Sequence, residues 1–239
     1  MPGNHDGANA RLKAGRLLTE EGMSIRTLDF AEPFYTVRYI DNEADYHIAE
    51  KSMVINLAER EQERILLDGE RTVAPLKAAV VQNMTVRNLV RAFVIEDFER
   101  CDISDPETAS LIKKSWRTLY EMSGIPRHKG LPYYKSPKFC IDENGQHIEL
   151  NLCFVSEGMV PSGPHRDHDR DFDEVHAQIA GFGMMRIYDY DDNTRIHQEL
   201  PMSPGTVHDK MYDSQGRYPW HEYMSVTPCI YCPIELDRR

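Results

Sequence analysis

The chain has 239 residues, of which 41% are hydrophobic and 28% charged, with a formal net charge of −11. That length can bury a sizeable core, and one compact domain with an extension is the expected organisation. The sequence holds no run of about 18 apolar residues, so no membrane span is expected, and its acidity argues against a nucleic-acid partner, which needs a basic surface.

Residues 1–22, opening MPGNHDGANARLKAGR, lack the apolar stretch of a secretory signal and read as a flexible leader. Five cysteines, an odd number, without an export signal imply reduced thiols and a cytoplasmic location. Cys229 and Cys232 form a lone CxxC in TPCIYCPIE. They fall in an apparent strand, where positions three apart point to opposite faces, so ordinary core and surface thiols are expected there.

After the leader, residues 34–40 (FYTVRYI) suggest a strand. The rest of residues 23–131 reads as mainly helical. The stretch 43–67 is rich in Ala, Glu, Arg and Leu and stops at Asp68-Gly69. Within 76–98, Val86, Leu89, Val90, Phe93 and Val94 follow the spacing of one buried helical stripe. A third helix is framed by Ser104 as N-cap, Pro106 in its first turn and Glu107 three residues past the cap. Ile112, Trp116, Leu119 and Tyr120 would form its apolar face, and Gly124 with Pro126 its stop.

From Pro132 the apolar period changes to two. Phe139 and Ile141 precede the turn Asp142-Glu143-Asn144-Gly145, and Ile148, Leu150, Leu152 and Phe154 then alternate with polar residues, which predicts a hairpin. Further strands are predicted over 175–180, 184–188, 206–211 and 225–235, with the polar DDNTRIHQE stretch as a turn carrying a solvated His197. Short strands with Gly, Pro and Asp turns imply a β-sandwich or barrel.

Six of the ten histidines lie between Gly163 and Tyr223: His165, His168, His176, His197, His208 and His221. They are interleaved with Asp and Glu, and imidazole with carboxylate is the ligand set of Zn, Fe, Mn, Ni and Cu sites. Glu174, His176 and Gln178 share one face of a predicted strand, with Val175, Ala177 and Ile179 on the other. Either that polar face is solvated or its groups find partners or a metal. His5, His47, His128 and His147 read as surface or satisfied-core residues.

The order His165, His168, Glu174, Gly181, then the Pro204-Gly205 turn and Tyr218-Pro219-Trp220-His221-Glu222-Tyr223, resembles the two-motif signature of the cupin superfamily. The resemblance covers 132–239 and leaves the N-terminal half unexplained. It implies a C-terminal antiparallel β-barrel of the double-stranded β-helix, or jelly-roll, type, and with the helical reading of 23–131 the expected chain is α+β, with N-terminal helices packed on that barrel. It also implies metal ligands His165, His168, Glu174 and His221.

The family's His-x-His is His165-x-x-His168 here, which leaves Asp167 as an alternative ligand to one of the two, and Ser225 stands where Asn is common. The resemblance favours His221 over His208 as the last ligand. His208, His176 and Tyr212, with Tyr188, are then the polar candidates for substrate contact or proton transfer.

Such a set suits one divalent transition metal. Fe(II) with dioxygen would make the chain an oxygenase acting on a small polar metabolite. Zn, Mn or Ni as a Lewis acid would instead serve a lyase or isomerase, and a ligand-binding sensor without turnover is the third alternative. Cupin-like barrels often pair through their sheets, which allows a homodimer.

Overall fold

Residues 24–96, expected to hold two long helices, form a β-sheet instead. The structure is a computed structural model and describes residues 24–237 apart from 97, 144–145, 161–162, 167 and 169–170. The expected leader, His5, Asp167 and the Asn144-Gly145 turn lie outside the described residues. In chain order, the first sheet contains β1 (Ile25–Leu28), β2 (Thr36–Ile48), β3 (Ser52–Asn56), β4 (Ile65–Leu66), β5 (Thr72–Val73), β6 (Ala78–Val81) and β7 (Met84–Glu96). Its main path runs β1-β2-β7-β3-β6.

The physical reason for the correction is visible in β7. This strand lies between β2 and β3 and is buried on both faces. Phe93 and Ile95 point into one core, and Ala92 and Val94 into another. A strand buried on both sides loses its alternation. Asn88, at φ 62, interrupts its extended backbone, so Val86 and Leu89, three apart, both reach the second core. The result imitates a helical stripe. In β3 the same two-sided burial sends Met53 and Ile55 one way and Val54 the other.

Helix among the described residues is confined to α1 (Pro106–Ser115), α2 (Leu119–Ser123) and short 3₁₀ turns. Asp105, not Ser104, caps α1: its carboxylate accepts from the Thr108 N–H at 2.8 Å. The expected third helix is broken by β8 (Arg117–Thr118), and Thr118 opens α2 with a reciprocal capping box to Glu121. Gly124 closes α2 in the left-handed region at φ 67. No described helix is long and apolar enough to cross a membrane.

The remainder is the predicted run of short strands: β9 (Tyr133–Lys135), β10 (Phe139–Glu143), β11 (Gln146–Leu150), β12 (Cys153–Val155), β13 (Phe172–Ala180), β14 (Gly183–Asp189), β15 (Asp192–Met202), β16 (His221–Ser225) and β17 (Cys229–Asp237). The predicted hairpin is present as β10 and β11, paired from Phe139↔Leu150 to Glu143↔Gln146. DDNTRIHQE is mostly strand β15 rather than a turn, 206–211 is not a strand, and 225–235 is divided between β16 and β17. Every described ladder is antiparallel.

The second sheet runs β10-β11-β17-β12-β9-β8 with β13 on the other edge of β17, and β15-β14-β16 form a third. The expected closed barrel is not seen. Outside the ladders, only the isolated bridges His165↔His221 and Ala177↔Val207 are made among the described residues, too few to join the sheets continuously. The expected helices packed outside a barrel are replaced by the first sheet. Its Tyr39, Met53, Phe93 and Ile95 share one core with Phe139, Val175, Ile179 and Ile234 of the second. Burial of that shared face, at about 25 cal/mol per Å² of apolar area, is the main force holding the two sheets together.

Candidate metal centre

Strand β13 carries the alternation the sequence shows, and both of its faces are buried. Val175, Ala177 and Ile179 enter the core shared with the first sheet. Glu174, His176 and Gln178, also buried, face the space enclosed by the second and third sheets. Gln178 accepts from the Tyr223 hydroxyl at 2.7 Å, so the polar face is neither solvated nor dry.

The histidines meet at the mouth of that space. His165 and His221 form a two-way backbone pair, N–H to carbonyl at 2.9 Å in each direction, and their rings lie 4.4 Å apart. His168 reaches the same point from a short loop, its ring 4.6 Å from Phe172 and 5.5 Å from His165. One ring nitrogen from each of His165, His168 and His221 lies within 4.8 Å of the others. The His-x-x-His spacing that would split two rings on a strand causes no conflict, because His168 is not on a strand.

Hydrogen bonds to main-chain carbonyls orient two of these rings. His165 Nδ1 lies 2.9 Å from Gly163 O, and His221 Nδ1 lies 3.3 Å from Pro219 O. A carbonyl only accepts, so Nδ1 carries a proton in both, and in the neutral ring Nε2 is the nitrogen with the lone pair. This is how proteins fix the tautomer of a metal-binding imidazole. Burial, with the His221 and His168 rings nearby, pushes His165 down to about 3, so its ring is neutral.

Glu174 adjoins the three histidines at their edge. Its Oε1 lies 3.1 Å from His176 Nε2 and its Oε2 lies 3.5 Å from His221 Nε2. The second distance is too long for a good hydrogen bond, and neither Oε2 nor that Nε2 has a hydrogen-bond partner although both are buried. Burial alone would raise the Glu174 carboxyl, but the His176 and His221 rings outweigh it and hold the group well below the carboxylate range. A buried carboxylate oxygen and a buried imidazole nitrogen without hydrogen bonds are costly unless something binds them. The three histidines are grouped as the ligands of a divalent ion would be, and Glu174 meets one of them, His221, at the edge of the group.

The other candidates sit around this cluster. His208 is buried behind His176 with both nitrogens engaged: Nε2 accepts from the His176 N–H at 2.9 Å and Nδ1 donates to Asp209 O at 2.7 Å. Burial, with the His176 ring, pushes it down to about 3. Tyr212 is part-exposed and donates to Asp173, which also pairs with Lys210 at 2.7 Å. Tyr188 lies apart from the cluster, its hydroxyl 2.5 Å from Glu222 Oε1. His197 is exposed on β15, 3.5 Å from Asp189. His128, buried, is bonded to Ser123 at 2.9 Å.

A cavity of about 450 Å³ opens beside the cluster, lined by Ile187, Asp189, Leu200, Met211, Tyr212 and Arg217 among others. Pro219, two residues before His221, also lines it, but the four candidate ligands do not. The cavity therefore adjoins the cluster without containing it.

Sequence reasoning missed Tyr223, Asp173 and Lys210. Tyr223 is two residues after His221 on one strand and so shares its face, a signal present in the sequence. Asp173 and Lys210 meet only through the fold. Cys229 and Cys232 do face opposite sides, but each side is a core, so neither is a surface thiol.

No family profile and no curated protein matches the sequence. Solved structures that align with the chain include cupin-superfamily structures, with low scores and partial coverage. KdgF from Halomonas sp. aligns with 12% identity over 45% of this chain and 81% of its own, at a TM-score of 0.32. A cupin-superfamily protein from Desulfitobacterium hafniense gives 11% identity, 42% and 76% coverage and a TM-score of 0.29. A cupin-superfamily sugar phosphate isomerase from Silicibacter pomeroyi gives 18%, 45%, 60% and 0.32. The overlap is under half the chain, so the chemistry rests on the residues described above.

Proposed function

We propose that this chain is a metal-dependent enzyme whose ion is held by His165, His168, His221 and Glu174, and that it oxidises a small polar metabolite with dioxygen. The observation that carries this reading is the pair of carbonyl-tethered rings, His165 and His221, with the His221 Nε2 3.5 Å from Glu174 Oε2. Fe(II) suits a mixed imidazole–carboxylate set and would supply the electrons that dioxygen needs. Zn, which cannot change oxidation state, would polarise a substrate only.

The chain's own residues prepare the site. His165 is held neutral by burial, so it binds without first losing a proton. Phe172 and Tyr218, at 4.6 and 5.9 Å from the His168 ring, shield that side from water. A small polar substrate would enter from the adjoining cavity, past Tyr212.

A second reading, a metal-dependent lyase or isomerase, is favoured by one feature. Tyr212 at the cavity wall is hydrogen-bonded to Asp173, and Lys210 pairs with the same carboxylate. A phenol in such a chain can hand a proton to a substrate and take one back.

Metal analysis of anaerobically purified protein tests the shared part: Glu174→Ala and His221→Ala should each lose well over half of the bound metal. Full metal in His221→Ala with loss in His208→Ala would overturn the ligand assignment. Oxygen consumption with Fe(II), abolished by Zn, supports the oxygenase. Product formed under nitrogen with Zn supports the second reading.

A further inference from the structure

We infer that His176 is a positioning residue that fixes Glu174 as a one-oxygen ligand, an inference that rests on the metal-binding reading above. A carboxylate can bind an ion through one oxygen or two, and the choice decides how many positions remain for substrate. Here the two oxygens are separated by their surroundings. Oε1 lies 3.1 Å from His176 Nε2, while Oε2 faces His221 with no hydrogen bond. A carboxylate accepts, so Nε2 is the donor of this contact and Nδ1 is the ring's other nitrogen. That Nδ1 is buried and makes no hydrogen bond, so nothing competes with Glu174 for the ring's proton.

The ring is held in place from three sides. The His176 backbone N–H is bonded to His208 Nε2 at 2.9 Å, and His208 is itself fixed to Asp209 O at 2.7 Å. The rings of Tyr231 and Tyr223 lie 5.0 and 6.0 Å away. Glu174 and His176 are two apart on β13 and share a face by strand geometry. His176 thus holds Oε1 back, leaves Oε2 for the ion and keeps one coordination position open. His208 in turn anchors the backbone from which His176 reaches.

Co(II) added to metal-free protein is the probe, read by titration and by its visible spectrum. His176→Gln places an amide N–H where Nε2 stands, and His176→Asn places one only where Nδ1 stands. The Gln variant should keep the wild-type spectrum. The Asn and Phe variants should change it and weaken Co(II) binding by about 10- to 100-fold, the usual effect of losing a partner of a metal ligand. In wild-type protein, the Co(II)-minus-metal-free infrared difference spectrum should show a Glu174 carboxylate with the wide splitting of one-oxygen binding, assigned by its loss in Glu174→Gln. That measurement needs no His176 variant to fold. Wild-type spectrum and affinity in Asn and Phe, or a narrow carboxylate splitting, would overturn the inference alone. Failure of wild-type protein to take up Co(II) would overturn the metal reading as well.

Discussion

Replacing His208 by Leu separates its structural from its chemical role. Leu fills most of the ring's volume but leaves the buried His176 N–H without its acceptor, 2.9 Å away in the native protein. An orphaned buried donor costs about 1–3 kcal/mol. For a chain of this size that corresponds to a melting-temperature loss of about 2–12 °C at pH 7.5. Acidification should shrink the difference. His208 is pushed down to about 3 by burial and the His176 ring, whereas in the unfolded chain it titrates near 6.5.

The unfolded state therefore takes up the proton first. The stability His208 contributes is complete above about pH 6.5 and falls as pH drops toward the folded value. Between pH 6.5 and 5 the wild type should lose roughly 2 kcal/mol through this residue, at about 1.4 kcal/mol per unit. The Leu variant lacks that dependence. Urea unfolding of chelator-treated protein at pH 7.5, 6 and 5 should show the two proteins converging. Parallel pH curves would refute the claim that burial and the His176 ring hold His208 neutral.

Other sites test the fold around the cluster. A Cβ at Gly183 would overlap the Tyr223 hydroxyl, so Gly183→Ala should break the Tyr223–Gln178 bond and cost about 2–6 kcal/mol from overpacking plus an unsatisfied acceptor. Gly158→Ala, in the left-handed region at φ 66 but with open space around it, should cost only about 1–2 kcal/mol in thermal melts; equal losses would show that the Tyr223 contact is unimportant. Asn56 is buried, donates to Glu63 O and Val73 O at 2.9 and 3.1 Å and accepts from Ala58 N at 3.0 Å. Asn56→Ala should lose about 3 kcal/mol, about 1 for each bond, and a loss under about 1 kcal/mol would remove Asn56 as the post holding the 57–64 connection.

The C-terminal half was legible because its information is local. Alternation in β13 placed Glu174, His176 and Gln178 on one face, and the structure buries that face beside the histidines. The meeting of His165 with His221 was legible only as an order of residues, since no local pattern announces a single long-range bridge. The N-terminal half was misread where helix-forming composition met tertiary context. Residues 43–48 are rich in acidic and polar side chains but end β2, with Asp45 paired to Arg87 across the ladder at 3.1 Å. The backbone ladder with β7 overrode propensity there.

What that half does for the site follows from four side chains. Lys77 of the first sheet's β5–β6 connection reaches Val207 O at 3.0 Å and Asp209 at 2.6 Å. Glu59 meets Lys210 at 3.2 Å, and Lys210 meets Asp173 at 2.7 Å. The segment 207–210 carries His208 and leads to Tyr212, yet it has no ladder of its own among the described residues. Surface ion pairs of this kind are each worth little, about 0–1 kcal/mol, but the main-chain bond to Val207 sits next to His208. The first sheet therefore supplies the fixed support on which His208, and through it the His176–Glu174 pair, is held beneath the cluster.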